Sequence, residues 1–141
     1  MAENLGEGLY SLPAHPEQYS PLTLAYLGDS VLDILVKSCF VARTNKQVQK
    51  YHKEVSHVVS AVNQSAFIDS FEEELTEEEG EIYHRGRNAA VHTKAKNATM
   101  AEYKKATGLE AVLGYLYLKE EQGRLKEIVK RLLIFSGFEQ V

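Results

Sequence analysis

Three observations predict an all-α protein. Apolar residues recur at helical spacing in several separate stretches, beginning with Leu24, Leu27, Val31 and Leu35. Helix-start chemistry stands at Ser20-Pro21 and again at Thr76 with Glu79. No stretch alternates apolar and polar residues with the period of two that a half-buried strand needs.

Residues 1–21 hold all three prolines, Pro13, Pro16 and Pro21, and read as an irregular lead-in anchored by Leu9, Tyr10 and Leu12. Ser20 caps, and Pro21 at the first helical position forfeits no hydrogen bond, so a helix runs from there to about residue 42. Thr44-Asn45 ends it. Val48, Tyr51, Val55, Val58 and Val62 mark one face of a second helix that continues to Phe71. The capping box of Thr76 and Glu79 opens a short helix from residue 77 to about 84. Residues 85–99 have weak periodicity and contain Asn88 and Asn97, so they read largely as loop. A helix over about 100–118 follows. The last spans about 120–135, with Leu125, Ile128, Leu132 and Phe135 as its apolar stripe.

The 141 residues are expected to form one domain over 1–141, with a core over about 18–135. The lone Cys39 cannot form an internal disulfide and favours a reducing compartment. The first ten residues carry no signal-peptide pattern, and no apolar run is long enough to span a bilayer, so the expected home is the cytoplasm, away from membranes. The net charge of −4 is unevenly spread: residues 69–81 hold eight acids and no Lys or Arg, leaving the rest at +4. A polyanionic partner is therefore not excluded, because local field rather than total charge steers it. The acid run itself reads as a solvated face.

Two stretches carry candidate chemistry. Residues 22–36 are apolar nearly all round, as a core helix is, yet Asp29 stands in the middle, where an unpaired buried carboxylate is costly. Residues 109–118 repeat the pattern with Glu110. Small residues flank both acids: Ala25 and Gly28 beside Asp29, Ala106 and Gly114 beside Glu110. Two such helices could cross with their carboxylates converging, and oxygen ligands completed by water and phosphate suit Mg²⁺. Equally, each acid could be satisfied by an Arg, Lys or hydroxyl partner. The residues alone leave both readings open. His52 and His57 diverge on a helix and make a poor metal pair.

A third stretch is basic. No acid occurs between Ile82 and Ala101, while Arg85, Arg87, Lys94 and Lys96 accompany Asn88, and Lys104 and Lys105 extend the charge. Arg-Gly-Arg-Asn suits a phosphate backbone, though a solvated loop balancing the acid run is the plain alternative. Gly28-Asp29-Ser30 also matches the start of the block of GDSL-type serine esterases. That block needs a strand-to-helix turn and a late His; here it lies in a helix, and no His follows His92.

Together these stretches resemble a known family. Tyr26-Leu27-Gly28-Asp29-Ser30-Val31-Leu32 is similar to the signature helix of ribonuclease III domains, whose core reads LGDSVL. Glu110-Ala111-Val112-Leu113-Gly114-Tyr115-Leu116-Tyr117-Leu118 resembles that family's second acidic helix. With Arg85-Gly86-Arg87-Asn88-Ala89 between them, and His52-Lys53-Glu54 and Val59-Ser60-Ala61 as weaker likenesses, the chain most resembles the small bacterial branch called Mini-ribonuclease III. That branch has the helical nuclease domain without an appended double-stranded-RNA-binding domain, and the likeness covers residues 18–135.

The resemblance implies a dimeric, Mg²⁺-dependent endoribonuclease that cuts double-stranded RNA, leaves 5′-phosphate and 3′-hydroxyl ends, and matures the ends of large-subunit (23S) ribosomal RNA. A large-subunit ribosomal protein is a further candidate partner. Asp29 carries over as the catalytic acid and Glu110 as a metal ligand. Arg85, Arg87, Asn88, Lys94, Lys96, Lys104 and Thr107 are the expected RNA contacts, and Leu22 and Tyr26 the expected dimer contacts. Larger family members have further acids where this chain has Ala25 and Thr107, which favours one well-held Mg²⁺ over two. The rival is a catalytically silent helical RNA-binding or ribosome-associated module of the same fold.

Overall fold

The stretch around Glu110 becomes the centre of the molecule. In the computed structural model, which describes residues 5–91 and 98–138, helix α5 (Met100–Leu118) is buried from Ala106 to Leu109 and again from Ala111 to Leu116. Around it lie α1 (Pro21–Arg43), α3 (Ala61–Phe71), α4 (Glu77–Ala89) and α6 (Gln122–Phe135), with α2 (Val48–Val59) resting on α1 and α3. All elements among the described residues are helical, including short 3₁₀ turns at Pro16–Gln18 and Glu72–Glu74. The all-α prediction holds. Leu24, Leu32, Phe67, Ile68, Leu109 and Leu113 are among the side chains that fill the core.

Glycines set the closest approaches. A Cβ on Gly28 would lie 1.8 Å from the carbonyl oxygen of Glu110, and one on Gly114 would lie 2.0 Å from that of Leu24. The backbones of α1 and α5 therefore touch, as only glycine permits. Gly86 does the same for α4, where an added Cβ would come within 2.9 Å of the Ala111 Cβ.

Three sequence expectations change. The second helix is two helices, broken at Ser60, whose extended ψ of 151° ends α2 and whose Oγ accepts from the Asn63 N–H at 3.2 Å to cap α3. The valine spacing runs through this break in phase, so periodicity did not reveal it. Of that stripe Val55 and Val58 are buried, whereas Val48 and Val62 are exposed. Second, α4 continues through Arg85, Arg87 and Asn88 to Ala89, because Gly86 lets that turn settle onto α5. Residues 92–97, with Lys94 and Lys96, lie outside the described residues.

Third, the acid run is more than a solvated face: Glu73, Glu77 and Glu81 are exposed as expected, but the other acids brace the fold. Glu79, 3% exposed, takes a forked contact from Arg124 at 2.9–3.3 Å, and Arg124 also donates to the Glu74 carbonyl. Arg131 meets the Glu74 carboxylate through two bonds of 2.9 and 2.8 Å. Lys119 donates to Glu78, Lys105 to Asp69, and His84 lies 3.4 Å from Glu72. The lead-in is held through Tyr10, whose hydroxyl is 2.9 Å from that of Tyr117, and not through Leu9, which is exposed.

Candidate active site

The α1–α5 contact determines where the two singled-out acids sit. Gly28 rests on the Glu110 backbone, so the next residue, Asp29, emerges beside the Glu110 side chain. The carboxyl groups converge closely enough to interact by charge and hydrogen bonding. Asp29 is exposed rather than buried, because this side of α1 faces outward, with Leu22, Tyr26 and Ile34 also exposed. Glu110 lies deeper. Burial first, and then the neighbouring Asp29 carboxylate, push it up to about 8, against an opposing hydrogen bond from the Gln64 amide at 3.1 Å. Among the described residues no Lys or Arg forms a salt bridge with either acid. The salt-bridge alternative therefore finds no partner there.

Both acids open into a cleft of about 620 Å³ between α1, α3 and α5. Leu22 and Tyr26 form one side of its mouth, and Gln64, Tyr103 and Thr107 line the interior. Thr107 is buried, and its hydroxyl donates to the Tyr103 carbonyl at 3.0 Å. The donor set of this cleft is oxygen-rich and carries surplus negative charge. Gln64 adds a buried side-chain oxygen that has no hydrogen-bond partner. Among the described residues there is no group of three or more His, Cys, Asp or Glu that could cage an ion. Two carboxylates and open space fit a hard cation that keeps most of its waters, as Mg²⁺ does.

A model of the Ribonuclease III domain matches residues 22–121. The chain belongs to the ribonuclease III family. Mini-ribonuclease 3 of Clostridium tetani is 42% identical over 125 residues, covering 88% of this chain and 82% of that protein. The Staphylococcus aureus Mini-ribonuclease 3 is 39% identical, covering 84% and 90%. These matches place the chain in the Mini-ribonuclease 3 branch. A crystal structure of a Fusobacterium nucleatum protein aligns with a TM-score of 0.78 at 29% identity, over 86% of this chain and 98% of that one.

In this ribonuclease III domain the basic residues stand apart from the cleft. Arg85 donates to the carbonyls of Glu17 and Tyr19 at 2.9 and 3.2 Å, tying the lead-in to α4. Arg87 lies 3.1 Å from the His84 ring nitrogen and over the Tyr83 ring, and Asn88 is exposed beside it. Lys104 is half-buried and makes no salt bridge among the described residues, whereas Lys105 is engaged by Asp69. Sequence reasoning missed Gln64 and Tyr103. Gln64 left one trace: a large amide in register with the buried Phe67, Ile68 and Phe71. No helix among the described residues is long and apolar enough to cross a membrane.

Proposed function

We propose that this ribonuclease III-type endoribonuclease cleaves double-stranded RNA by Mg²⁺-assisted hydrolysis at Asp29 and Glu110, and that its substrate is the precursor of large-subunit (23S) ribosomal RNA. The observation that carries the reading is the converging pair of carboxylates on an open cleft, without a Lys or Arg partner among the described residues, in a chain of this family. Asp29 and Glu110 would hold the ion. Mg²⁺ bound there supplies a polarised water and relief of charge at the scissile phosphate. The metal-free pair favours a proton on Glu110, and Glu110 would give up that proton in order to hold a divalent cation. Asp29, on the open side of α1, is the acid within reach of a phosphate in the cleft. No side-chain nucleophile is needed, and the products carry 5′-phosphate and 3′-hydroxyl ends.

Arg87, Asn88 and Lys104 supply phosphate contacts away from the cleft, along the path of a longer duplex, with Lys94 and Lys96 completing the basic stretch of the sequence; Arg85 contributes by holding the lead-in. A-form RNA is read mainly by shape and backbone, which such a surface suits. A second copy covers Leu22, Tyr26 and Ile34, an apolar side of α1 with exposures of 41%, 83% and 60%. That copy walls the cleft mouth and gives a dimer with two centres for staggered cuts. The enzyme works in the cytoplasm, where a large-subunit ribosomal protein presents the RNA.

Incubation of the purified chain with long double-stranded RNA tests this. Cleavage to 5′-phosphorylated fragments in Mg²⁺, and none in chelator, is expected. RNA bound but uncut in Mg²⁺ would instead mark a silent binder. Sedimentation should give a dimer, and a monomer at working concentration would remove the second-copy argument.

A further inference from the structure

We propose that Gln64 is a positioning residue for the cleavage centre, holding the Glu110 carboxylate in place through its side-chain amide. This deepens the reading of Asp29 and Glu110 as the ion-binding pair and rests on it. Gln64 is 1% exposed, and in a side chain so buried each polar atom left unmet is costly. Its Nε2 donates to the Val59 carbonyl at 2.9 Å and to Glu110 Oε2 at 3.1 Å, which uses both amide hydrogens. The Val59 carbonyl can only accept, so it fixes which end of the amide faces Glu110. The nitrogen faces the carboxylate, and Oε1 is left without a partner.

The helix break at Ser60 creates this arrangement. Where α2 ends, its last carbonyls lose their intrahelical donors. Asn63 and Gln64, adjacent on the first turn of α3, each supply one: Asn63 to Val58 at 2.9 Å, Gln64 to Val59. Their second hydrogens part company. Asn63 donates on to Ser136 Oγ at 2.8 Å, a link to the end of α6, whereas Gln64 donates to Glu110. A structural link alone needs only what Asn63 does. The chemistry also favours an amide at position 64: Lys or Arg there would neutralise Glu110 and compete with an incoming cation, while an amide orients the carboxylate and leaves its charge available.

Asn63 is therefore the control for Gln64. Full-length wild type, Gln64→Met and Asn63→Ala are compared by calorimetric titration with Mg²⁺ alone, by thermal melting, and by cleavage of double-stranded RNA. Gln64→Met is expected to weaken Mg²⁺ binding about 10- to 100-fold and to lower kcat with little change in KM for RNA, the loss shrinking at high Mg²⁺. Asn63→Ala is expected to lower the melting temperature while its Mg²⁺ affinity stays that of wild type. Should Gln64→Met fail to melt cooperatively, Gln64→Asn takes its place, keeping an amide one methylene too short to span from Val59 to Glu110. Wild-type Mg²⁺ affinity in the Gln64 variant, or equal Mg²⁺ losses in both variants, overturns the positioning role alone. Absence of Mg²⁺ binding by wild type overturns the ion-binding pair and the positioning role with it.

Discussion

Helix α5 passes two groups of carboxylates, and the fold treats them in opposite ways. Along α4 and its approach, Glu74, Glu78 and Glu79 are matched to Arg131, Lys119 and Arg124, and Glu79 is buried only because Arg124 forks onto it. At the α1 crossing, Asp29 and Glu110 face each other with no cation from the described residues, and the neutral Gln64 amide donates to Glu110. Where charge is structural, the chain supplies its counter-charge. At the pair proposed to hold an ion, the chain supplies an orienting amide and, among the described residues, no counter-charge. Perturbed, uncompensated acids in a cleft mark function for that reason.

The largest test of this contrast is at the open pair. Asp29→Asn or Glu110→Gln should lower cleavage of double-stranded RNA by on the order of 10³-fold or more, as loss of a central catalytic group does. Melting of the metal-free protein should not fall, because each change leaves a neutral group where a carboxyl is held beside a second acid. Turnover near wild type in either variant would sink the assignment. At the matched acids the outcome should reverse. Arg124→Met strands the buried Glu79, costing about 3 kcal/mol and lowering the melting temperature by roughly 6–12 °C. Cleavage per folded molecule should stay unchanged, and an unaltered melt would break the comparison.

The two groups should also answer pH with opposite signs. Glu110 is raised above its usual 4.5 to about 8, so between those values the folded chain binds more protons than the unfolded one. Metal-free stability should therefore fall as pH climbs through that window. Mg²⁺ affinity should rise by up to about tenfold per pH unit and level off near 8, as calorimetry at successive pH values would show. Arg131 holds Glu74 below its usual range, and Lys119 with Tyr115 does the same for Glu78. Their contribution is present above the ordinary carboxylate range and lost on acidification below it. The smallest effects belong to the basic face. Arg87→Ala should reduce the slope of log affinity against log salt by about 1. Arg85→Ala should cost about 1 kcal/mol in melting, through the lead-in, and leave that slope nearly intact.

Much of this was legible from residue order. The helices that carry Asp29 and Glu110 announced themselves by apolar spacing, and the flanking Ala25, Gly28, Ala106 and Gly114 foretold a close crossing. The depth of Asp29 was misread because periodicity cannot separate an apolar side turned to the core from one turned outward, as Leu22 and Tyr26 are. The break at Ser60 was hidden because side chains, not spacing, create it: a Ser cap and two amides answer freed carbonyls while the valines keep step. The role of the acid run was hidden for another reason. Its partners Arg124 and Arg131 lie about fifty residues away and meet it only once α6 has folded onto α5 and α3.

The glycine contact between α1 and α5 has a consequence for ion choice. Side chains in a core can shift rotamer and absorb small strains, but two backbones in contact have nothing to yield. Since Asp29 follows Gly28 and Glu110 is the residue Gly28 touches, the separation of the main-chain segments that carry the two carboxylates is gauged by that contact. Mg²⁺ demands oxygens at roughly 2.0–2.1 Å in near-octahedral order, while Ca²⁺ accepts roughly 2.3–2.6 Å and looser company. The proposed Mg²⁺ pair would thus be mounted on a main-chain contact that cannot widen, and in this enzyme that contact is two hydrogen atoms where any other residue would place a carbon.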